Sequence, residues 1–365
     1  MSENFLTENR HGEGYGHYQR MAFFTDTSIC IGCKACEVAC KEWNRNPVEG
    51  YEVTGNSYDN TGSLGANTWR HVAFIEQGHE RMAKARREGA KLIFLGMPTV
   101  GGPAADPLSP AAGGGTAERK IPDTDSFRWL MSSDVCKHCT HAGCLDVCPT
   151  GALFRSEFGT VVVQDDVCNG CGTCVAGCPF GVIERREDGG VSLNATREEA
   201  AEQSEHPRSH AGVNVLAKLR QLKRQGPDHT PGEVMPIKNI GMAQKCTMCY
   251  DRLKVGEQPA CSKTCPTQSI TFGTYEDMLA AAKERVAVLH EQGMTEARLY
   301  GANDQDGVGG TGSIFLLLDS PEVYGLPPDP HVPTQDLPAL AATAAKAVGG
   351  MVVAAAAAFA IGGRS

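Results

Sequence analysis

Aromatic side chains are scarce in this chain of 365 residues, at 6 % against 41 % for all hydrophobic residues. A core built this way relies on small aliphatics, or is organised by something other than aromatic packing. Positive charge is also short: 34 Lys and Arg stand against 43 Asp and Glu, a formal net charge of −9. Nothing in that balance points to nucleic acid as a partner. The opening MSENFLTENRHGEGYGHYQR holds no apolar run of the kind an export signal needs. Folding in a reducing compartment is therefore expected, where thiolates tend to bind metal. No nucleophile–base constellation stands out, and no direct small-molecule substrate is expected.

What the chain has in excess is cysteine, 16 in all, in four groups of four with none left over. The groups are Cys30-Cys33-Cys36-Cys40, Cys136-Cys139-Cys144-Cys148, Cys168-Cys171-Cys174-Cys178 and Cys246-Cys249-Cys261-Cys265. The first reads C-x2-C-x2-C-x3-C and the third repeats it. This spacing holds iron–sulfur cubanes in bacterial ferredoxins, where three cysteines serve one [4Fe–4S] cluster and the fourth serves its neighbour. The second group widens one step to four residues and the fourth widens it to eleven. Three groups end in Cys-Pro; the first has Lys41 instead, so its turn must differ.

Because the motif hands its fourth cysteine to another cluster, it demands a partner motif. Only 19 residues separate Cys148 from Cys168, and GALFRSEFGTVVVQDD between them reads as a β-hairpin. The second and third groups therefore pair, leaving the first and fourth to pair across the chain. Four [4Fe–4S] clusters follow. One is held by Cys136, Cys139, Cys144 and Cys178, and its neighbour by Cys148, Cys168, Cys171 and Cys174. A third is held by Cys30, Cys33, Cys36 and Cys265, and the last by Cys40, Cys246, Cys249 and Cys261. All-cysteine zinc sites, as in a zinc-stabilised scaffold, would also absorb 16 thiolates, but they usually pair two C-x2-C elements. A disulfide scaffold fits neither the length nor the lack of an export signal.

The expected fold class is α+β, with two ferredoxin-like double-cluster units related by a pseudo-two-fold. One unit is discontinuous, 22–78 plus 237–300; the other is 128–186. Loop-rich insertions cover 79–127 and 187–236, the first with an exposed helix over 76–91 and a Gly/Pro/Ala-rich loop at 96–115, the second with a charged, helical stretch at 195–225. SITFG (269–273) predicts a strand, YEDMLAAAKERVAVLHEQG a helix with apolar positions 278, 279, 282, 286 and 289, and SIFLLLD (313–319) a buried strand within a C-terminal strand and loop region, 301–335. From Leu337 to Gly363 the only charge is Lys346, and 17 uncharged residues follow it. About 17 is the lower limit for a membrane span. A helix over 337–363 is expected, either as a single membrane anchor or as an Ala-rich helix docked on a protein partner.

Other signals are weaker. GVGGTG (307–312) matches G-x-G-x-x-G, but a polar loop precedes it and an apolar strand follows, so it reads as a Gly-rich turn and not a dinucleotide site. His138 and His141 read as neighbours of a cluster that already has four thiolates. Trp43, Trp69 and Trp129 read as core or interface residues. Lys34, Lys41, Lys137, Lys245 and Lys263 fall within or beside the cysteine groups, where positive charge raises a cluster's potential; the plain alternative is solvated surface charge.

From about Phe24 to Pro330 the chain resembles the β (iron–sulfur) subunits of respiratory, membrane-bound formate dehydrogenases. The stretches that carry the resemblance are CIGCKACEVACKEWN, CKHCTHAGCLDVCPTGAL, CNGCGTCVAGCPFGV, CTMCYDRLKVGEQPACSKTCPT and GVGGTGSIFLLLDSPEVYGLPPDP. The regions around 76–128 and 186–238 are longer than it predicts. It implies a non-catalytic electron-transfer subunit with all 16 cysteines as cluster ligands. The implied partners are a molybdopterin or tungstopterin catalytic α subunit that oxidises formate and an integral membrane γ-type subunit, a cytochrome b or similar quinone-reactive protein. A place at the cell membrane is implied with them. The cysteine pattern alone would equally serve another pterin oxidoreductase or a hydrogenase.

Overall fold

The computed structural model describes residues 19–47, 61–94, 127–186, 239–334 and 337–362. The arm at 1–18, the loop expected at 96–115 and the charged stretch expected at 195–225 lie outside them.

The largest sheet has four strands in the order β8-β1-β10-β9. Strand β1 (Met21–Asp26) runs parallel to β10 (Ser313–Leu317) and antiparallel to β8 (Ile270–Thr274); β10 pairs antiparallel with β9 (Arg298–Tyr300). The register sets Phe23 opposite Phe272 and Ser313. Every residue of β10 is buried, as the unalternating apolar run Ile314–Leu317 suits in a strand covered on both faces. Helix α7 (Tyr275–Glu291) packs across all four strands and buries Ala282, Val286 and Leu289. It starts on Thr274, whose hydroxyl accepts from the Asp277 N–H at 3.2 Å. On the face that bears Phe23 and Phe315 the sheet meets two buried cations. The Arg70 guanidinium lies 4.9 Å from the Phe23 ring centroid and the Lys137 ammonium 4.9 Å from that of Phe315.

Three two-stranded sheets complete the set. Strands β2 (Arg70–Gly78) and β3 (Phe127–Val135) pair over nine residues, with helix α2 (His79–Phe94) leaving directly from the end of β2. This helix is amphipathic rather than wholly exposed, burying Met82 and Ala85. Strands β4 (Leu153–Arg155) and β5 (Val161–Val163) form the hairpin expected between the second and third cysteine groups. Strands β6 (Glu184–Arg185) and β7 (Ala243–Gln244) close the region where the chain returns from residues 187–238.

A helix carries the third cysteine of each group. Helix α1 (Ala35–Asn44) runs on through Cys40, whereas the groups ending in Cys-Pro turn there: Gly151, Gly181 and Gln268 each donate to the carbonyl of the cysteine three residues back. Helix α1 packs on α6 (Ala260–Lys263), which follows the short α5 (Tyr250–Leu253), and α3 (Gly143–Asp146) packs on α4 (Thr173–Gly177). Helix α8 (Leu337–Gly362) runs 26 residues, and its described side chains are exposed. Among the described residues no helix is long and apolar enough to cross a membrane, so the fold lends no support to a single C-terminal span.

Candidate metal centres

The cysteine loops share one backbone device. The residue just before the second cysteine of each group is left-handed: Gly32 (φ 64°), His138 (φ 45°), Gly170 (φ 74°) and Met248 (φ 59°). A left-handed residue reverses the chain sharply, so the flanking sulfurs face one side. Two of the four are not glycine and accept a local cost of about 1 kcal/mol.

The loops bring the 16 cysteines together in four sets. Cys30, Cys33, Cys36 and Cys265 line one cavity. Cys136, Cys139, Cys144 and Cys178 line a second, with Lys137, His138 and Lys245. Cys40 neighbours Cys246, Cys261 and Cys249; burial first, and those three sulfurs next, push its thiol well up. Cys174 neighbours Cys168, Cys171 and Cys148, and burial followed by those sulfurs pushes it up to about 11. Burial is also the leading cause at Cys36, pushed up to about 11, and at Cys144 and Cys249, each pushed up to about 12. Thiols held this way lose their protons only where a strongly positive group stabilises the thiolate.

The sets form a series. Cys36 and Cys261 are close enough to disfavour one another's charge, as are Cys246 and Cys136, and Cys144 and Cys174. The set of Cys40, Cys246, Cys249 and Cys261 is wholly buried, while the two end sets each expose one cysteine, Cys33 and Cys171. Apolar side chains stand exposed beside these ends, Ile31 and Val38 at one and Val167 and Val175 at the other.

Hydrogen-bond donors converge on the sulfurs. The Ser133 hydroxyl lies 3.2 Å from Cys36 Sγ; that of Thr173 lies 3.2 Å from Cys171 Sγ but donates to the Val147 carbonyl. The Thr150 and Thr267 hydroxyls lie 3.6 and 3.8 Å from the sulfurs of Cys148 and Cys265. Backbone N–H groups of Met248 and Ala243 point to Cys246 and Cys168 at 3.2 and 3.5 Å. His138, buried, accepts from the Val161 N–H at Nδ1 (3.1 Å), which puts its ring proton on Nε2; that atom has no protein partner. The donor set suits anionic, sulfur-rich groups. Among the described residues no three His, Cys, Asp or Glu side chains are close enough to hold a single metal ion.

The lysines divide. Lys137 and Lys245 are each 1 % exposed and so are not solvated charges. Lys137 pairs with Asp134, and Lys245 donates to the carbonyls of Val161 and Cys246. Lys263 is exposed, Lys34 and Lys41 half-buried. Trp43, 46 % exposed, lies under the Arg252 guanidinium at 4.2 Å and is not a core residue. The GVGGTG turn braces the second cysteine loop: His141 N–H donates to Val308 O (2.8 Å) and Thr140 N–H to Gly310 O (3.0 Å). The Asp306 carboxylate takes the Val308 and Gly310 N–H groups that a phosphate would need. Arg70, Ser133 and the three threonines escaped the sequence reading. The threonines did leave a signal, since Cys-x-Thr recurs at 148–150, 171–173 and 265–267.

Residues 29–152 match one family model described as a 4Fe-4S dicluster domain, and residues 127–212 and 217–275 match another of the same description. The formate dehydrogenase iron-sulfur subunit of Haemophilus influenzae is 32 % identical over 347 residues, covering 93 % of this chain and 79 % of that protein. The chain belongs to the formate dehydrogenase iron–sulfur subunits. The formate dehydrogenase-O iron-sulfur subunit of Escherichia coli is also 32 % identical, over 321 residues, 86 % of this chain and 73 % of that one. The arsenate respiratory reductase iron-sulfur subunit ArrB of a Shewanella species is 33 % identical over 170 residues, 44 % of this chain. As a member of this family, the subunit has four [4Fe–4S] clusters as cofactors and electron transfer as its role, and the zinc scaffold is set aside.

Proposed function

We propose that the four cysteine sets are the ligand sets of the four clusters, and that the subunit carries electrons from a pterin catalytic subunit oxidising formate to a quinone-reactive membrane subunit. The observation that carries this reading is the unbroken series of sets in which the two ends each expose a cysteine. Oxidation of formate to carbon dioxide frees a proton and two electrons, and the electrons must leave the catalytic centre singly. When bound, cubanes with four cysteine ligands supply one-electron transfer and offer no open corner to a substrate.

The chain's own residues do the rest. Buried thiols and apolar packing keep water from the inner sets, and donors on Ser133, Thr150 and Thr267 stabilise negative charge on sulfur. Exposed apolar side chains at Ile31 and Val38, and at Val167 and Val175, give each end a surface a partner can cover. The repeated left-handed position in all four loops supports two related double-cluster units, 22–78 plus 237–300 and 128–186, about a pseudo-two-fold. The exposed, Ala-rich helix α8 we assign to the membrane partner, as a docking element that holds the subunit at the membrane.

The test is anaerobic isolation of the complex, addition of formate, and low-temperature electron paramagnetic resonance. Reduced-cubane signals on formate support both wire and partner. Signals with dithionite alone, in the presence of a catalytic subunit, leave the wire and remove formate. A second reading, the same wire serving another respiratory reductase, is favoured by the similarity to the arsenate reductase subunit, which is confined to under half of the chain.

A further inference from the structure

Arg70 opens strand β2 and is 1 % exposed. Its Nη1 donates to the carbonyl oxygen of Ser133 at 3.3 Å and to Ser133 Oγ at 3.0 Å. Its Nε and Nη2 are buried and find no acceptor in the protein. No carboxylate among the described residues pairs with it. Nearby Glu37 is engaged elsewhere, by the Val72 N–H and by Lys34 at 3.4 Å. A buried guanidinium without a counter-ion is strongly unfavourable. What surrounds this one instead is sulfur. Cys261, Cys36, Cys246 and Cys40 lie within electrostatic reach of it, and α1, which carries Cys36 and Cys40, is tied to β2 beside it where Glu37 accepts from the Val72 N–H. Those four belong to two different sets: Cys36 to the end set, and the other three to the buried set next in the series. Lys137, by contrast, brings its own neutraliser in Asp134.

We propose that Arg70 is a single positive charge shared by two neighbouring clusters, raising the reduction potential of both. The proposal rests on the ligand sets put forward above. A cluster with four thiolates is anionic and gains one more negative charge on reduction, so a fixed cation in a dry site favours the reduced form. The two unpartnered N–H groups supply donors for the anionic groups on either side. Ser133, 0 % exposed, adds a branch toward one side only: its Oγ accepts from Arg70 and its own proton is free for Cys36 Sγ at 3.2 Å. Arg70 thus touches the energy level of two adjacent stations, and Ser133 that of one.

The experiment is a redox titration of the whole complex followed by electron paramagnetic resonance, with iron and sulfide measured on the same samples. In Arg70→Met two of the four midpoints move to more negative potential and two stay. In Arg70→Lys, which keeps the charge, most of that shift is recovered. In Ser133→Ala one midpoint moves, and it is one of the two that Arg70→Met moves. Full iron with four unchanged midpoints in Arg70→Met, or four that move together, overturns the proposal. If Arg70→Met loses iron, Arg70→Gln, which keeps donors without the charge, decides: two midpoints moving to more negative potential support the shared charge, and none or all four moving overturn it. Wild-type protein that lacks four clusters by iron and sulfide would instead locate the failure in the ligand sets.

Discussion

Gly143→Ala should damage the join between the two halves of the 128–186 unit. A Cβ built at Gly143 meets the Gly177 carbonyl oxygen at 2.4 Å and Val332 Cγ1 at 3.1 Å. Ordinary contacts begin near 3.4 Å, so α3 and α4 must part by about an ångström. The obstacle is backbone, which cannot rotate aside. In a helix, Gly→Ala is otherwise favourable by about 0.5–1 kcal/mol. Overpacking costs about 1–3 kcal/mol, so the net sign is destabilising by roughly 1–2 kcal/mol. The damage is local, because α3 carries Cys144 and α4 carries Cys174, one from each of the two adjoining sets. The assay is anaerobic denaturant unfolding of the complex, with iron per chain before and after mild chelation. The expected result is a lower midpoint and loss of up to half the iron, from two clusters and not four. Gly151→Ala is the control: nothing lies within 4 Å of its Cβ, and only its left-handed φ of 68° is strained. Native stability and full iron in Gly143→Ala would refute the close backbone approach.

Other outcomes follow from single contacts. Cys265→Ser should abolish one cluster signal and leave its neighbour in the same unit, whereas Cys40→Ser should abolish that neighbour; loss of the same signal in both variants would overturn the crossed ligand sets. Glu296→Ala leaves Arg128, 2.9 Å from it and 9 % exposed, without its buried partner. Breaking such a pair costs about 3–5 kcal/mol, read as a drop in unfolding midpoint with cluster spectra unchanged in the folded protein. Stripping iron with a chelator under reducing conditions should loosen the sheet region around Arg70, because its compensating sulfurs become neutral thiols. Faster amide hydrogen exchange in β2 and β3 would register this, and unchanged protection there would contradict it.

The sequence spoke most clearly where covalent spacing alone decides geometry. The cysteine rhythm, the hairpin at 153–163 and the helix at 275–291 are all local patterns. It spoke less clearly where distant segments meet. The strand Ser313–Leu317 reads as a buried strand in sequence, but its place beside β1 depends on residues almost the whole chain away. Arg70 has no local signature, because its meaning comes from Ser133 and from cysteines in two distant groups. The buried lysines were legible as positions but not as environments: a charge beside a cysteine looks the same in sequence whether water or Phe315 covers it.

The crossing of distant segments also sets a timetable. The four cysteines nearest the N-terminus neighbour partners beyond residue 245, while the eight central ones lie within one continuous stretch, 136–178. At about 5–20 residues per second, on the order of ten to forty seconds separate the synthesis of Cys40 from that of Cys246. The central unit emerges complete and can be filled while the chain is still being made. On the proposed ligand sets, the outer unit waits with open thiols for its second half, and is therefore the half of the protein most in need of protection from oxygen at birth.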